Sequence, residues 1–236
     1  MQQKLIMPNH LAFILDGNRR WSQAHGKTFL WMGHRAGAKK VEEALNWCLE
    51  LGVPQVSLYA LSTENLNRPK EEVEELFNLF YEYLKKWEQG KDGLLDKYEV
   101  HVRFVGDLDR LPAKVRKVAG KIMQKTAKYQ KKFLNFMVAY GSQFELIEVM
   151  KKIARKAIKT GRIEITAKDV EKNLLVPVPL DLIIRTGGVH RLSNFMLWQA
   201  SYAELYVTKT LWPDFSKREL IKALKWYSQT KRNFGQ

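Results

Sequence analysis

A chain of 236 residues with 45% hydrophobic content can bury one substantial core and is too apolar for global disorder. Its 40 Lys and Arg against 25 Asp and Glu leave a formal net charge of +15, which attracts polyanions: nucleic acids, anionic lipid surfaces or phosphorylated small molecules. A single cysteine, Cys48, excludes an internal disulfide, and Met1 to Leu5 carries no signal-peptide core. No apolar run approaches the roughly 18–20 residues of a membrane span, so the expected setting is cytoplasmic.

In chain order, residues 10–15 form an apolar run of strand length that stops abruptly at Asp16-Gly17-Asn18-Arg19-Arg20-Trp21. From Gly33-His34-Arg35-Ala36-Gly37 a long helical pattern carries Ala38, Val41, Leu45, Cys48 and Leu49 on one stripe and ends at Gly52-Val53-Pro54. Cys48, between Trp47 and Leu49, reads as a packed thiol. Residues 56–61 read as a second strand running into a polar turn from Ser62 to Pro69, and 71–87 as a helix. Residues 89–93 are a loop and 100–105 a third strand. From Arg110 to Lys132 there are nine basic residues and no acidic one. Lys114, Lys117, Lys121, Lys125, Lys128 and Lys132 fall on one helical face, with Leu111, Val115, Val118 and Ile122 opposite. This is either a solvated surface helix or a basic face for anionic lipid. Strands follow at 135–140, 181–185 and 204–208, and helices at 144–159, 167–175 and 215–227. Alternating strands and helices imply an α/β fold, a single domain over 1–236, with a mainly parallel six-stranded sheet flanked by helices.

Three of these strands end in polar clusters, and a parallel sheet gathers such ends along one edge. Pooled there are Asp16, Asn18, Arg20, His34, Ser62, Asn65, Arg68, Arg185, Arg191 and Ser193: fork-shaped cations and small donors around one carboxylate. The set suits phosphate oxygens, even two diphosphates, with a divalent metal between them and the protein. Gly17, Gly187 and Gly188 would admit backbone N–H groups to the same oxygens. The competing reading is a strand-to-helix turn with a capping Asp16 and solvated arginines. No Walker sequence, Gly-x-Gly-x-x-Gly, zinc-type Cys/His array or Gly-x-Ser-x-Gly elbow is present. Residue chemistry alone stops short of a substrate.

The stretches 10–21, 33–37, 59–69, 181–195 and 198–204, in that order, closely resemble the cis-prenyltransferases, among them the undecaprenyl diphosphate synthases. The longest match reads Arg185-Thr186-Gly187-Gly188, then Arg191, Ser193-Asn194-Phe195, Trp198-Gln199 and Tyr202-Ala203-Glu204. The resemblance implies a homodimeric α/β enzyme with a hydrophobic tunnel. It would condense isopentenyl diphosphate with an allylic diphosphate to give a polyprenyl diphosphate. It further implies Mg²⁺ on Asp16, with Glu204 tied to the metal, and Gly17, Asn18, Arg20 and His34 around the allylic diphosphate. Arg19 and Trp21 complete that motif, Arg19 on its solvent side. Ser62, Asn65 and Arg68 match a closing loop, and Arg185, Arg191 and Ser193 the isopentenyl diphosphate site. Asp16, Asn18 and Asn65 are the implied catalytic residues, and Ala60 and Met137 are expected along the tunnel.

Departures stand out. Residues 27–32 carry no arginine where the family has a phosphate-contacting basic residue, Leu66 replaces a loop tryptophan, and Val189 an acidic position. Asn233-Phe234-Gly235 replaces an Arg-x-Gly that reaches across the dimer. These suggest a changed acceptor or changed regiochemistry of condensation. A non-catalytic subunit of a two-component enzyme would have lost Asp16 and much of the phosphate site. A nucleic-acid binder would need an aromatic–basic motif that is absent, so no nucleic-acid partner is expected. A peripheral contact with an anionic membrane fits the basic helix.

Overall fold

Strands β1 (His10–Ile14), β2 (Gln55–Ser62), β3 (Val100–Val105), β4 (Lys132–Tyr140), β5 (Leu182–Arg185) and β6 (Glu204–Val207) make one sheet in the order β3-β4-β2-β1-β5-β6. All neighbours pair in parallel. The computed structural model describes residues 5–90 and 93–232, so Met1, Lys91, Asp92 and the departure at Asn233, Phe234 and Gly235 lie outside the described residues. Around the sheet run α1 (Asn18–Ala24), α2 (Trp31–Glu50), α3 (Lys70–Glu88), α4 (Leu94–Lys97), α5 (Ala113–Thr126), α6 (Ser142–Thr160), α7 (Ala167–Glu171) and α8 (Lys217–Gln229).

Every residue of β1 is buried, which is why its sequence is a continuous apolar run and not an alternating one. Alternate residues serve two cores. Leu11, Phe13, Leu58, Phe136 and Leu182 pack with Ala44 and Leu45 of α2, Leu84 of α3, Val115 and Ile122 of α5 and Leu220 of α8. Ala12, Ile14, Met137 and Ile183 meet Val176, Leu180, Phe195 and Met196 on the other face. Cys48 is fully buried and its thiol is pushed up to about 12 by that burial, so it is a packing group.

Three expected elements differ. The basic helix stops at Thr126, whose Oγ1 donates to Ile122 O at 2.8 Å and accepts from Val102 N at 3.1 Å. Lys128 therefore lies beyond it, and Lys132 opens β4 and reaches Gly52 O at 2.8 Å. On the same helix Lys121 meets Glu88 at 2.7 Å and Lys125 meets Asp96 at 2.9 Å, so part of the basic face is neutralised by α3 and α4. Helix α7 ends at Glu171, and the short α1 follows Gly17, whose φ of 111° glycine tolerates.

Beneath the amino ends of the strands, His10 is fully buried. Its Nδ1 donates to Pro179 O at 3.1 Å, so Nε2 accepts from Ser57 Oγ at 2.7 Å, and that hydroxyl accepts from Asn135 Nδ2 at 2.9 Å. Burial lowers the imidazole from 6.5 to about 4, overriding the carbonyl bonds that favour the cation. The unfolded chain thus takes a proton that the fold refuses: stability is complete above pH 6.5 and falls as the pH drops towards 4. The loss is on the order of 1 kcal/mol per pH unit in that window. Urea unfolding across this range should show a shallower decline for His10→Asn than for the parent chain; equal slopes would refute the assignment.

Candidate active site

From β1 the chain turns towards β2, and from β5 towards β6 on the opposite side, so a crevice opens at the carboxyl ends of β1 and β5. Asp16 lies just past β1, and Arg185 closes β5. Asp16 Oδ2 accepts from Arg185 Nη2 at 2.8 Å and Oδ1 from Arg20 Nη2 at 3.1 Å. Arg20 Nη1 donates to Gly187 O at 2.7 Å; a Cβ at Gly187 would sit 2.3 Å from Arg20 Nη2, so the arginine needs glycine there. Arg185 is only 3% exposed and its Nη1 donates to Ser193 Oγ at 2.8 Å and to Arg191 O. Arg191 Nε donates to the same Ser193 Oγ at 3.1 Å. Asp16, Arg20, Arg185, Arg191 and Ser193 therefore form one connected cluster.

A polar cleft of about 400 Å³ adjoins this cluster, lined by Asp16, Gly17, Asn18, Arg19, Arg20, His34, Asn65 and Arg68 among others. Three residues that the sequence did not single out belong with it: Gln23 and Tyr59 line the wall, and Glu72 gathers the cations. Glu72 Oε1 lies 3.0 Å from Arg68 Nη1, 3.6 Å from His34 Nε2 and 3.8 Å from Arg19 Nε. The four-residue spacing from Arg68, just ahead of α3, to Glu72 in its first turn was the available signal. Burial and then the neighbouring Arg68 push His34 down to about 4, so it is neutral at pH 7 and its Nε2 accepts from Arg68. Asn18 donates from Nδ2 to Leu15 O at 3.1 Å, while its Oδ1 is buried and unbonded. A Cβ on Gly37 would come within 2.2 Å of that oxygen, so the Gly33-x-x-x-Gly37 spacing is what lets α2 close on α1.

Beyond the cleft, an apolar pocket of about 110 Å³ runs between α2, α3 and the sheet, walled by Phe77, Phe80, Trp87 and Phe136. Leu15, Asn18, His34, Ala60, Leu61 and Leu76 line both spaces, so the apolar pocket opens into the polar cleft. Ala60 lines it as expected. Met137 does not: strand alternation turns Phe136 and Val138 to the pocket and Met137 to the opposite core.

Not every expected residue faces the cleft, and some that do are engaged within the protein. Trp21 stacks on His25 and donates to Asp214 Oδ1 at 2.7 Å, outside the cleft lining. Ser62 and Asn65 brace each other, Ser62 N donating to Asn65 Oδ1 at 3.2 Å and Asn65 N to Ser62 Oγ at 3.1 Å. Glu204 begins β6 opposite Leu182, three rungs (about 10 Å) below Arg185, so the fold does not bring it to Asp16 within one chain. None of residues 27–32 lines the cleft; Lys27 is exposed, and Phe29 stacks on Trp31 with ring centroids 5.6 Å apart. Leu66 packs against the main core.

A parallel α/β sheet with a cationic cleft and an adjoining apolar pocket defines an enzyme that handles an anion with a hydrocarbon tail. The chain belongs to the undecaprenyl diphosphate synthase family of prenyltransferases, whose model matches residues 14–235. A tritrans,polycis-undecaprenyl-diphosphate synthase (geranylgeranyl-diphosphate specific) of Methanocaldococcus jannaschii is 43% identical over 238 residues, covering 97% of this chain and 83% of that one. An isoprenyl transferase of Aquifex pyrophilus is 43% identical over 98% of this chain and 97% of its own length. The crystal structure of lavandulyl diphosphate synthase from Lavandula x intermedia in complex with dimethylallyl diphosphate superposes with a TM-score of 0.91 at 31% identity, covering 98% of this chain and 99% of that one.

The buried Arg185, paired with Asp16 at 2.8 Å, gives Asp16 a structural role that a test of its function must separate out. Asp16→Asn keeps oxygen and amide at the same position and should fold, while turnover falls about 100-fold or more through loss of the countercharge. Asp16→Ala should lose turnover and melt lower than Asp16→Asn. Pyrophosphate release and thermal melts check both, and near-normal turnover in either variant would remove Asp16 from the mechanism.

Proposed function

We propose that this prenyltransferase condenses isopentenyl diphosphate with an allylic diphosphate and releases pyrophosphate. The observation that carries the proposal is the apolar pocket opening into the cationic cleft, which suits a diphosphate with its prenyl tail inserted. In this reading Gly17, Asn18, Arg19, Arg20, His34 and Arg68 take the allylic diphosphate. Arg185, Arg191 and Ser193 take the isopentenyl diphosphate. Ser62 and Asn65 close the loop above them.

Among the described residues there is no cluster of three or more metal-ligating side chains. One carboxylate nevertheless fits Mg²⁺ in a diphosphate site, because that ion takes one or two carboxylates and fills its sphere with phosphate oxygens and water. Asp16, which lines the cleft, would hold it; when bound, the ion would neutralise charge on the departing diphosphate. The arginines do the same from fixed positions. As the allylic C–O bond breaks, a C–C bond forms at the terminal alkene carbon of isopentenyl diphosphate and positive charge develops on the substituted alkene carbon. A proton leaves the methylene next to that cationic carbon, so that the double bond re-forms there. Asn18, which lines both the cleft and the apolar pocket, is the amide assigned to assist that loss. The apolar wall keeps water from the cationic centre.

Incubation with Mg²⁺, labelled isopentenyl diphosphate and acceptors from dimethylallyl to geranylgeranyl diphosphate should give chain-extended diphosphates and pyrophosphate. No extension with any acceptor would overturn the reading. A changed acceptor or regiochemistry is the second reading, supported by residues 27–32 supplying no cation to the cleft. Exclusive formation of long cis-polyprenyl products would eliminate it.

A homodimer completes the proposal. Helix α6 buries Val149 and Ile153 on one side and exposes Ile147, Met150 and Ile158 on the other, an apolar stripe at helical spacing suited to a second copy. Light scattering should find a dimer that Ile147→Glu with Met150→Glu converts to monomer; a monomeric parent chain would refute it. Peripheral contact with anionic lipid rests on exposed Lys117 and Lys128, since Lys121 and Lys125 are paired.

A further inference from the structure

The segment carrying Arg191 and Ser193 has an unusual backbone. Ser193, Asn194 and Met196 adopt φ of 52°, 62° and 40°, a left-handed region costly for residues with a Cβ. What holds it there is Asn194. Its backbone oxygen accepts from Ser142 N at 2.7 Å and its Oδ1 from Gln143 N at 2.9 Å, both in the first turn of α6. Its Nδ2 donates to Glu64 Oε1 at 2.8 Å, in the turn that carries Asn65 and Arg68. One side chain thus spans three elements.

The surroundings are built for that bridge. A Cβ on Gly141 would lie 2.6 Å from Asn194 Nδ2 and 2.7 Å from Thr63 Oγ1, so only glycine leaves room for the amide beside the loop. Tyr59 Oη donates to Ser193 O at 3.2 Å, and Thr63 N to Tyr140 O at 2.9 Å, which fasten the two loops to the same strand ends. Asparagine meets the three demands together: it tolerates the left-handed region, and it offers an acceptor to α6 and a donor to Glu64. Aspartate would set a second carboxylate against Glu64, and glycine would supply the backbone without either bond.

We infer that Asn194 and Glu64 are positioning residues that couple the two diphosphate subsites, so that filling either one favours closure over the other. The inference rests on the assignment of Arg191 and Ser193 to one diphosphate and of Arg68 to the other, with Asn65 on the loop that closes over them. Ordering the Arg191–Ser193 loop on a ligand fixes Asn194; Asn194 then fixes Glu64 and, through the same short turn, Asn65 and Arg68. Linkage makes the effect reciprocal.

Calorimetric titration of isopentenyl diphosphate, alone and with a non-reactive allylic thiodiphosphate, measures the coupling. The parent chain should bind isopentenyl diphosphate about fivefold or more tightly in the presence of the analogue. Glu64→Ala and Asn194→Gly should each reduce that ratio to less than twofold, and the double variant should lose nothing further. Glu64→Gln, which keeps the accepting oxygen, should retain it. A residue that merely stabilised the loop would lower the melting temperature and leave the ratio unchanged. Absence of coupling in the parent chain, or its retention in either single variant, overturns the inference. Failure of the parent chain to bind isopentenyl diphosphate at all would instead overturn the proposed function.

Discussion

The Asp16 carboxylate holds Arg20 through one oxygen and Arg185 through the other, and the geometry of the crevice follows from that pair of ion pairs. Arg185 is almost wholly buried, a position that costs several kcal/mol for an unpaired guanidinium. Asp16, Ser193 Oγ and Arg191 O together make it tolerable. The same contacts fix the guanidinium before any ligand arrives. A polyanion entering the cleft therefore meets cations that are already oriented, and little reorganisation remains to be done.

Close approach of backbones does the rest. Gly33 and Gly37 bring α2 against α1, which sets Asn18 at the junction of polar cleft and apolar pocket. Gly187 admits Arg20 to the turn after β5. Glu72 draws Arg19 and Arg68 towards one carboxylate, so the far wall of the cleft is charged yet locally balanced. His34, stripped of water beside Arg68, remains neutral there and acts as a hydrogen-bonding group.

Much of this was legible in the chain. Six apolar runs closed by polar turns gave the strands and their parallel sense, and pooling the strand ends brought together Asp16, Arg20 and Arg185 correctly. Pairings between distant segments were not legible, because a sequence does not reveal which side of the sheet a residue faces or how far along a strand it stands. Glu204 shows this: register sets it three rungs from Arg185, apart from Asp16 within one chain. Met137 failed by one step of strand alternation. Trp21 belongs to the right motif, yet its ring is engaged by His25 and Asp214. The run of lysines after Arg110 looked like one long basic face because acids in α3 and α4, remote in sequence, fold against it.

The central position of β1 has a consequence for how the molecule is made. β5, one of the two neighbours of β1 in the sheet, is translated long after it, and Asp16 and Arg185 are separated by 169 positions. Until then β1 has one unpaired edge, and its acid at the strand tip has no buried cation to meet. Contacts so distant along the chain close late and slowly. A nascent chain that has made β1 but not β5 carries an exposed, largely apolar strand edge, a hazard for aggregation that the finished sheet conceals.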